Sequence, residues 1–296
     1  MEKQQIIYTS KHDGLKIHAD YFKVTDSKAL IVVFHGMAEH RHRYDYLALK
    51  LTEENYSVLT IDHRGHNQSK EVLGHFADKN GWQKNLDDLH ELILMVDNQQ
   101  PLYLFGHSMG SMFARSYLKR HEDIVKKVVL SGSPSENKAV GAGIVLAKTI
   151  SAFKGPRYVS ALLDKMVVGQ FNKGINKPRT NVDWLSKDES NVEQYISDRL
   201  CGFPFTTGGH LDLFYVMKDA YSNWNAKYPS IPIKFFSGSE DPCSCKDNGV
   251  VKAVEKLKSN GYTNVSYKLY DGLRHEILNE KMRDVVIADI IDFYNK

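Results

Sequence analysis

The stretch that decides the fold reads Pro101-Leu-Tyr-Leu-Phe-Gly-His-Ser-Met-Gly110. Residues 102–105 are apolar and predict a short buried strand, and residues 111–119 predict a helix that follows at once. Glycines two positions before and two after the serine allow a sharp, strained turn where strand and helix approach closely. Strand, Gly-x-Ser-x-Gly and helix in this order predict a nucleophile elbow that exposes the Ser108 hydroxyl above a sheet.

Length and composition are those of an ordinary globular chain. The 296 residues are 42% hydrophobic and 25% charged, with a net charge of +3 and no run of basic residues, which argues against nucleic acid as a partner. No apolar stretch reaches the roughly 18 residues of a membrane span, and the polar N-terminus shows no signal peptide. The odd number of cysteines, three, favours reduced thiols and a cytoplasmic location.

Strand and helix patterns alternate along most of the chain, which predicts an α/β fold. Predicted strands cover residues 4–10, 15–24, 29–34, 56–61, 102–105, 125–130, 231–236 and 265–269. Predicted helices between and after them cover residues 44–55, 82–97, 248–260 and 280–294. The alternation predicts a mostly parallel eight-stranded sheet with helices on both faces. Apolar and polar residues alternate in 15–24, which predicts an antiparallel edge strand with one wet face.

The rhythm changes between residues 134 and 226, where no buried strand pattern occurs. Helical patterns cover residues 139–153, 159–168, 195–199 and 212–223. A segment of about 90 residues is too long for a loop, so we expect an inserted helical lid. The chain then divides into a core of residues 1–133 and 227–296 and a lid of residues 134–226. The apolar helix 139–153 is either buried on the core or a lid surface that meets lipid.

A serine hydroxyl becomes nucleophilic only when a base takes its proton and a third group orients that base. In this fold type the partners follow in the order acid, then histidine, at the carboxyl ends of later strands. Asp241 follows the predicted strand 231–236, and Pro242 favours it over the neighbouring Glu240. His275 follows the last predicted strand and is the single histidine after Asp241. We therefore predict Ser108 as nucleophile, Asp241 as orienting acid and His275 as general base.

The reacting oxygen needs two backbone N–H donors. Met109, directly after the nucleophile, supplies one. The segment His35-Gly-Met37, after the predicted strand 29–34, places the Met37 N–H as the second, and Gly36 lets this loop come close.

Other candidate residues fit structural roles better. Asp62 and Arg64 are expected to tie a loop by an ion pair, and His107 to be a buried, satisfied imidazole. Glu39 either orients the oxyanion loop or lines the pocket. The pair Cys243-Ser-Cys245 lacks the further ligands of a zinc site, so we expect neither metal nor cofactor.

Taken together, these residues resemble the α/β-hydrolase fold, and within it the monoacylglycerol lipase and lysophospholipase group described as serine aminopeptidase S33-like. The resemblance rests on His35-Gly-Met-Ala-Glu-His40 with Arg43-Tyr44, Asp62-x-Arg-Gly-His66 with Ser69, Gly106-His-Ser-Met-Gly110, Asp183-Trp-Leu-Ser186 with Asp188, Gly238-Ser-Glu-Asp-Pro242 and His275-Glu276. It implies the same triad, the same oxyanion donors and a lid near residues 134–226. Asn67 departs from the pattern, because the group usually has a glycine there.

The expected activity is cofactor-free hydrolysis of small acyl esters of monoacylglycerol or lysophospholipid type. A peptidase or amidase on the same triad is an alternative, and it needs an acidic lid patch for a free amino terminus. Candidates for that patch are Asp183, Asp188, Glu189 and Glu193. A ligand-binding scaffold with vestigial catalysis is the third reading. The lid is expected to touch lipid at most transiently, and the oligomeric state stays open.

Overall fold

The computed structural model describes residues 2–96, 100–245 and 248–296. Within them, eight strands form one sheet in the order β1-β2-β4-β3-β5-β6-β7-β8. The strands are β1 Glu2–Thr9, β2 Lys16–Lys23, β3 Leu30–Phe34, β4 Ser57–Ile61, β5 Leu102–His107, β6 Val125–Ser131, β7 Ile233–Gly238 and β8 Val265–Tyr270. β1 and β4 pair antiparallel with β2, and all other pairs are parallel. The mostly parallel eight-stranded sheet is therefore confirmed.

The expectation that the second strand lies at the edge is wrong. β2 lies between β1 and β4, and β1 forms the edge. The polar side of β2 can be covered because its central carboxylate is paired: Asp20 lies 3.1 Å from Arg41 and 3.1 Å from His42. An alternating pattern indicates a strand with two unlike faces, but it cannot show that ion pairs bury the polar face.

Helices cover both faces of the sheet. They are α1 Asp45–Glu53, α2 Gly81–Val96, α3 Met109–Arg120, α8 Gly249–Ser259 and α9 Arg283–Asn295, and predicted residue Asp97 lies outside the described residues. Alternate residues of β3 point to opposite sides, so that Val32 joins the core formed by α2, α3 and α8, whereas Val33 joins that of α1 and α9. None of the described helices has the length and apolar character needed to cross a bilayer.

Residues 134–226 contain the helices α4 Val140–Lys154, α5 Ala161–Val167, α6 Glu189–Ser197 and α7 Thr207–Ala220. α6 begins six residues before the predicted helix because the Asp188 side chain caps it by accepting the Ser190 N–H. α7 begins before its predicted start because the Thr206 hydroxyl caps it by accepting the Gly209 N–H at 3.1 Å. A Cβ on Gly209 would overlap the Gly74 carbonyl, so α7 packs tightly on the core as well as on α4.

Candidate active site

Ser108 occupies a strained turn between β5 and α3. Its φ of 51° and ψ of −119° are rare for any residue other than glycine. A Cβ on Gly106 would lie 2.6 Å from the Gly110 carbonyl oxygen, and one on Gly110 would overlap the Phe34 carbonyl. The Ser108 N–H donates to the Ser131 carbonyl at 2.9 Å, which helps hold the turn. Both glycines are therefore steric requirements of the turn that presents the half-buried Ser108 side chain.

Asp241 and His275 come together at the carboxyl edge of the sheet, after β7 and β8. His275 Nδ1 lies 2.9 Å from Asp241 Oδ2, and both side chains are buried. The Cys243 N–H and the Ser244 hydroxyl also donate to the Asp241 carboxylate, at 2.8 and 2.5 Å. Glu240 instead points outward and pairs with Lys187 at 2.8 Å. The carboxylate of Asp241 is therefore fixed and faces the imidazole.

This pairing sets the protonation of the two histidines next to Ser108. Burial disfavours the charged form of His275, but the Asp241 carboxylate outweighs burial and raises the pKa of His275. Burial, reinforced by His275, lowers the pKa of His107 to about 4, so His107 stays neutral at pH 7. As expected, His107 is buried, and its Nδ1 lies 3.3 Å from the Ser131 hydroxyl.

The His107 ring lies between the surroundings of Ser108 and those of His275. A Cβ on Gly36 would lie 3.3 Å from Ser108 Cβ and 3.2 Å from the His107 ring. A Cβ on Gly132 would lie 3.0 Å from His107 Cε1 and from His275 Cε1, and the two rings are 4.7 Å apart. Among the described residues, the Ser108 hydroxyl makes no direct hydrogen bond to His275. Such bonds between nucleophile and base commonly tighten only with substrate.

The loop after β3 lies against the elbow, as the contact between Gly36 and Ser108 requires. Glu39 fixes this loop because its carboxylate accepts the Gly36 N–H and, at 2.8 Å, the Tyr44 hydroxyl. Of the two roles left open for Glu39, orientation of the loop is the one its contacts support. Met37 follows Gly36 in the same loop, and Met109 is the first residue of α3.

A buried charged cluster joins this loop to α6 and to residues 271–276 after β8, which we call the histidine loop. We call Glu39, Arg43, Asn191 and Glu276 the Arg43 cluster. Arg43 donates to Glu39 at 2.9 Å and to both oxygens of Glu276 at 2.5 and 2.7 Å. Asn191 of α6 donates to Glu276 at 2.7 Å and accepts from Arg43 at 3.2 Å. Burial opposes ionisation, but Arg43 prevails and lowers the pKa of Glu276 to about 2.

Residues 183–202 cover the histidine loop, and we call them the inner lid segment. The Trp184 ring lies 4.9 Å from the His275 ring. Main-chain contacts join the same regions, because the Glu276 N–H donates to the Leu185 carbonyl at 2.7 Å. Tyr195 reaches the loop after β3, where its hydroxyl donates to the Ala38 carbonyl at 3.1 Å. The inner lid segment thus contacts both the loop after β3 and the loop that carries His275.

Sequence reasoning assigned no role to Arg43, Glu276 or Trp184. All three stood in the family-like motifs, but nothing in the spacing indicated that Arg43 and Glu276, 233 positions apart, would pair. Asp62 and Arg64 do form ion pairs, although not with each other: Asp62 pairs with Arg41, and Arg64 pairs with Asp13 and Asp88.

Asn67 adopts the left-handed conformation that its glycine-preferring position requires, with φ of 44°. Its side-chain amide donates to Asp62 at 2.9 Å, so the departure from the family pattern leaves the loop held.

The acidic residues of the lid are engaged in local contacts. Asp183 accepts from the Thr180 hydroxyl and main chain and from the Arg179 main chain. Asp188 caps α6, and the exposed Glu189 and Glu193 pair with the Arg179 guanidinium. Each of the four carboxylates proposed to bind the amino terminus of a peptide therefore already has a partner within the chain.

Comparison with solved structures places this arrangement in a known class. A carboxyl esterase of Bacillus coagulans, solved in complex with glycerol, has a TM-score of 0.90 to this chain. The two are 26% identical, and the match covers 100% of this chain and 98% of that one. Sheet order, elbow and this likeness together define the molecule as an α/β-hydrolase.

The family follows from the sequence comparison. The family model described as serine aminopeptidase, S33, matches residues 25–282. The chain belongs to that family. It is similar to a monoacylglycerol lipase of Mycolicibacterium smegmatis, 26% identical over 90% of this chain and 88% of that protein. It is also similar to the monoglyceride lipase of Homo sapiens, 27% identical over 95% of this chain and 86% of that protein.

Proposed function

We propose that Ser108, His275 and Asp241 form a catalytic triad that hydrolyses carboxylic esters of acyl chains, of the monoacylglycerol or lysophospholipid type. The protein is a carboxylic ester hydrolase, like the relatives it matches along most of its length. The observation that carries the residue assignment is the buried pair of His275 and Asp241, 2.9 Å apart, beside the strained turn of Ser108.

In the first half of the reaction, His275 takes the proton of Ser108 as its Oγ attacks the ester carbonyl. Asp241 orients the imidazole and stabilises its charged form. Backbone N–H groups of Met37 and Met109 bind the developing oxyanion. His275 then gives its proton to the departing alcohol oxygen, which leaves an acyl group on Ser108.

In the second half, His275 takes a proton from water, which attacks the acyl group. Collapse of the second oxyanion releases the carboxylic acid and returns the proton to Ser108. Each step moves one proton to or from His275, and its partners in turn are Ser108, the leaving alcohol and the attacking water.

The preference for an acyl chain rests on α4 and α5, which we call the outer lid helices. They expose apolar side chains, with Phe153 84%, Val145 65% and Leu162 54% accessible. Exposed lysines, among them Lys148 and Lys165, share these helices. Apolar and basic groups on one surface suit transient contact with a lipid assembly that bears negative charge.

Replacing Ser108 by alanine tests the triad. We expect p-nitrophenyl ester turnover to fall by about three orders of magnitude or more. Ser259→Ala, at an exposed serine on α8, is the matched control and should retain wild-type turnover. Wild-type turnover in the Ser108 variant would refute the proposal.

Two further assays separate the rivals. Stoichiometric labelling by a fluorophosphonate, absent in Ser108→Ala, excludes a vestigial scaffold. A peptidase would turn over aminoacyl-naphthylamides faster than acyl esters of graded chain length. We expect the opposite order, because the acidic lid residues are engaged in ion pairs and caps.

A further inference from the structure

We propose that His40, Asp198 and Cys201 form a binding site for a thiophilic divalent cation, with zinc as the reference ion. The site lies where the end of α6 meets the loop after β3. It goes beyond the proposed ester hydrolysis, in which the Cys201 thiol has no part. It also departs from the sequence prediction, which considered only Cys243 and Cys245 as thiol ligands.

The three side chains present one ligand atom each within a small volume. A ring nitrogen of His40, a carboxylate oxygen of Asp198 and Cys201 Sγ all lie within 4.8 Å of one another. Tetrahedral zinc with ordinary bond lengths places its nitrogen, oxygen and sulfur ligands about 3.5 Å apart. Binding therefore needs only small side-chain movements. Imidazole, carboxylate and thiolate are also the ligand types that zinc prefers.

Main-chain geometry holds two of the ligands together. The Cys201 N–H donates to the Asp198 carbonyl at 2.9 Å, and the Leu200 N–H donates to Asp198 Oδ1 at 2.8 Å. This turn brings the thiol beside the carboxylate and leaves Asp198 Oδ2 directed at His40 Nε2, 2.8 Å away. The sequence signature is therefore Asp-x-x-Cys with a distant histidine, which spacing alone cannot reveal.

The His40 imidazole forms hydrogen bonds with Asp198 alone among the described residues. Among the described residues, the buried Nδ1 of His40 has no hydrogen-bond partner, and Nε2 contacts only Asp198. His40 and Cys201 are buried, whereas Asp198 is partly exposed and gives an ion access from solvent. The nearby cation, Arg43, is neutralised by Glu39 and Glu276.

Binding releases a proton, because the ligand is the thiolate. An ordinary cysteine thiol is mostly protonated at pH 7. The sulfur–hydrogen bond breaks, the sulfur–metal bond forms and one proton leaves to solvent for each ion bound. Three protein ligands leave the fourth position to water, as in exchangeable rather than closed structural sites.

The position of the site gives the ion a mechanical role. His40 belongs to the loop that carries Met37, and Asp198 and Cys201 belong to the inner lid segment. Beside the site, the Gly202 N–H donates to the Ala38 carbonyl at 2.9 Å. A bound ion adds three metal–ligand bonds across this boundary, so it holds the inner lid segment more tightly against the loop and reduces the local adjustment of both during turnover.

Cobalt(II) titration of the full-length protein tests the site. We expect one ion per chain, with visible ligand-field bands and a near-ultraviolet thiolate-to-cobalt band that zinc abolishes by competition. Cys201→Ser should lose the thiolate band and bind at least about tenfold more weakly. His40→Gln should weaken binding similarly, whereas the matched control Cys245→Ser should bind as wild type does.

Two results would overturn the site. The first is the absence of a thiolate band in the wild-type protein, which would mean that the three side chains form only a polar contact between the inner lid segment and the loop. The second is an unchanged band in Cys201→Ser. Thermal unfolding without metal verifies that Cys201→Ser is folded. A kinetic measurement tests the mechanical role and alone depends on the proposed function: saturating zinc should slow ester turnover in Cys245→Ser but not in Cys201→Ser. Equal inhibition of the Cys245→Ser and Cys201→Ser variants would contradict the mechanical role of the ion. If the protein does not hydrolyse esters, the cobalt titration still tests whether the metal site exists.

Discussion

The inner lid segment and the outer lid helices are held in place by different forces. The inner lid segment is joined by buried polar contacts: Asn191 bonds to Glu276, Tyr195 to Ala38, and Arg274 to the Asp183 carbonyl at 2.7 Å. The outer lid helices pack through a small apolar cluster with α7, formed by Ile144, Ala147, Leu163 and Phe214. Directional contacts permit one position, whereas apolar contacts tolerate sliding. The comparison teaches that residues 134–226 contain one part held by directional polar contacts close to His275 and another part held mainly by apolar packing on α7.

The largest effect on turnover is expected for Asp241, the partner of His275 next to the inner lid segment. Asp241→Asn should lower kcat by about 10⁴-fold, because the imidazole loses the partner that selects its tautomer. His275 must be neutral to act as base, so wild-type kcat/KM should rise with pH through a pKa above 6.5. Without the Asp241 carboxylate, burial disfavours the imidazolium and is opposed only by the weaker effects of Glu276 and Glu39, so the acid limb should move to lower pH. A limb that stays in place would show that another group titrates.

The Arg43 cluster gives the next effect. Arg43→Ala leaves two buried carboxylates unpaired, so the free energy of unfolding should fall by about 3–5 kcal/mol. Ester kcat/KM should fall about 10²-fold because both loops beside Ser108 lose their common partner. Urea unfolding and steady-state kinetics measure the two losses.

Arg179→Ala is the matched control, since Arg179 is 41% exposed and its carboxylate partners are exposed as well. Its unfolding free energy should change by less than about 0.5 kcal/mol. Equal losses in the two variants would contradict the claim that the buried ion pairs of the Arg43 cluster hold the inner lid segment more strongly than its exposed ion pairs do.

The smallest effect concerns the outer lid helices. Phe153→Ser should leave turnover of a soluble short-chain ester unchanged, because Phe153 lies in solvent. Binding to vesicles that contain anionic lipid should weaken about tenfold, as expected when one aromatic side chain no longer enters the apolar layer. Val285→Ser, at an exposed apolar residue of α9, is the control, and sedimentation with vesicles is the measurement. Equal weakening in both variants would place the lipid contact elsewhere.

The sequence predicted the sheet well because each strand carries its own signal. Runs such as residues 29–34 are apolar throughout, which indicates a strand buried on both faces. The glycines on either side of Ser108 indicate a tight turn from the local sequence alone. The order of the strands within the sheet was harder to predict from the sequence. The pattern of β2 indicates an edge strand unless the pairing of Asp20 with Arg41 and His42 is known.

The contacts of the lid were the hardest to foresee. α6 depends on a cap at Asp188, which resembles any other surface aspartate in sequence. The Arg43 cluster unites residues from three distant segments, and none of them has periodicity or spacing that indicates a partner. Long-range polar pairs are chosen by the folded geometry, so local patterns cannot supply them.

Because one guanidinium holds Glu39 on one side and Glu276 on the other, the two loops that flank the nucleophile behave as a single mechanical piece. Warming should therefore abolish oxyanion binding and proton transfer together, in one inactivation step, rather than erode first one capability and then the other.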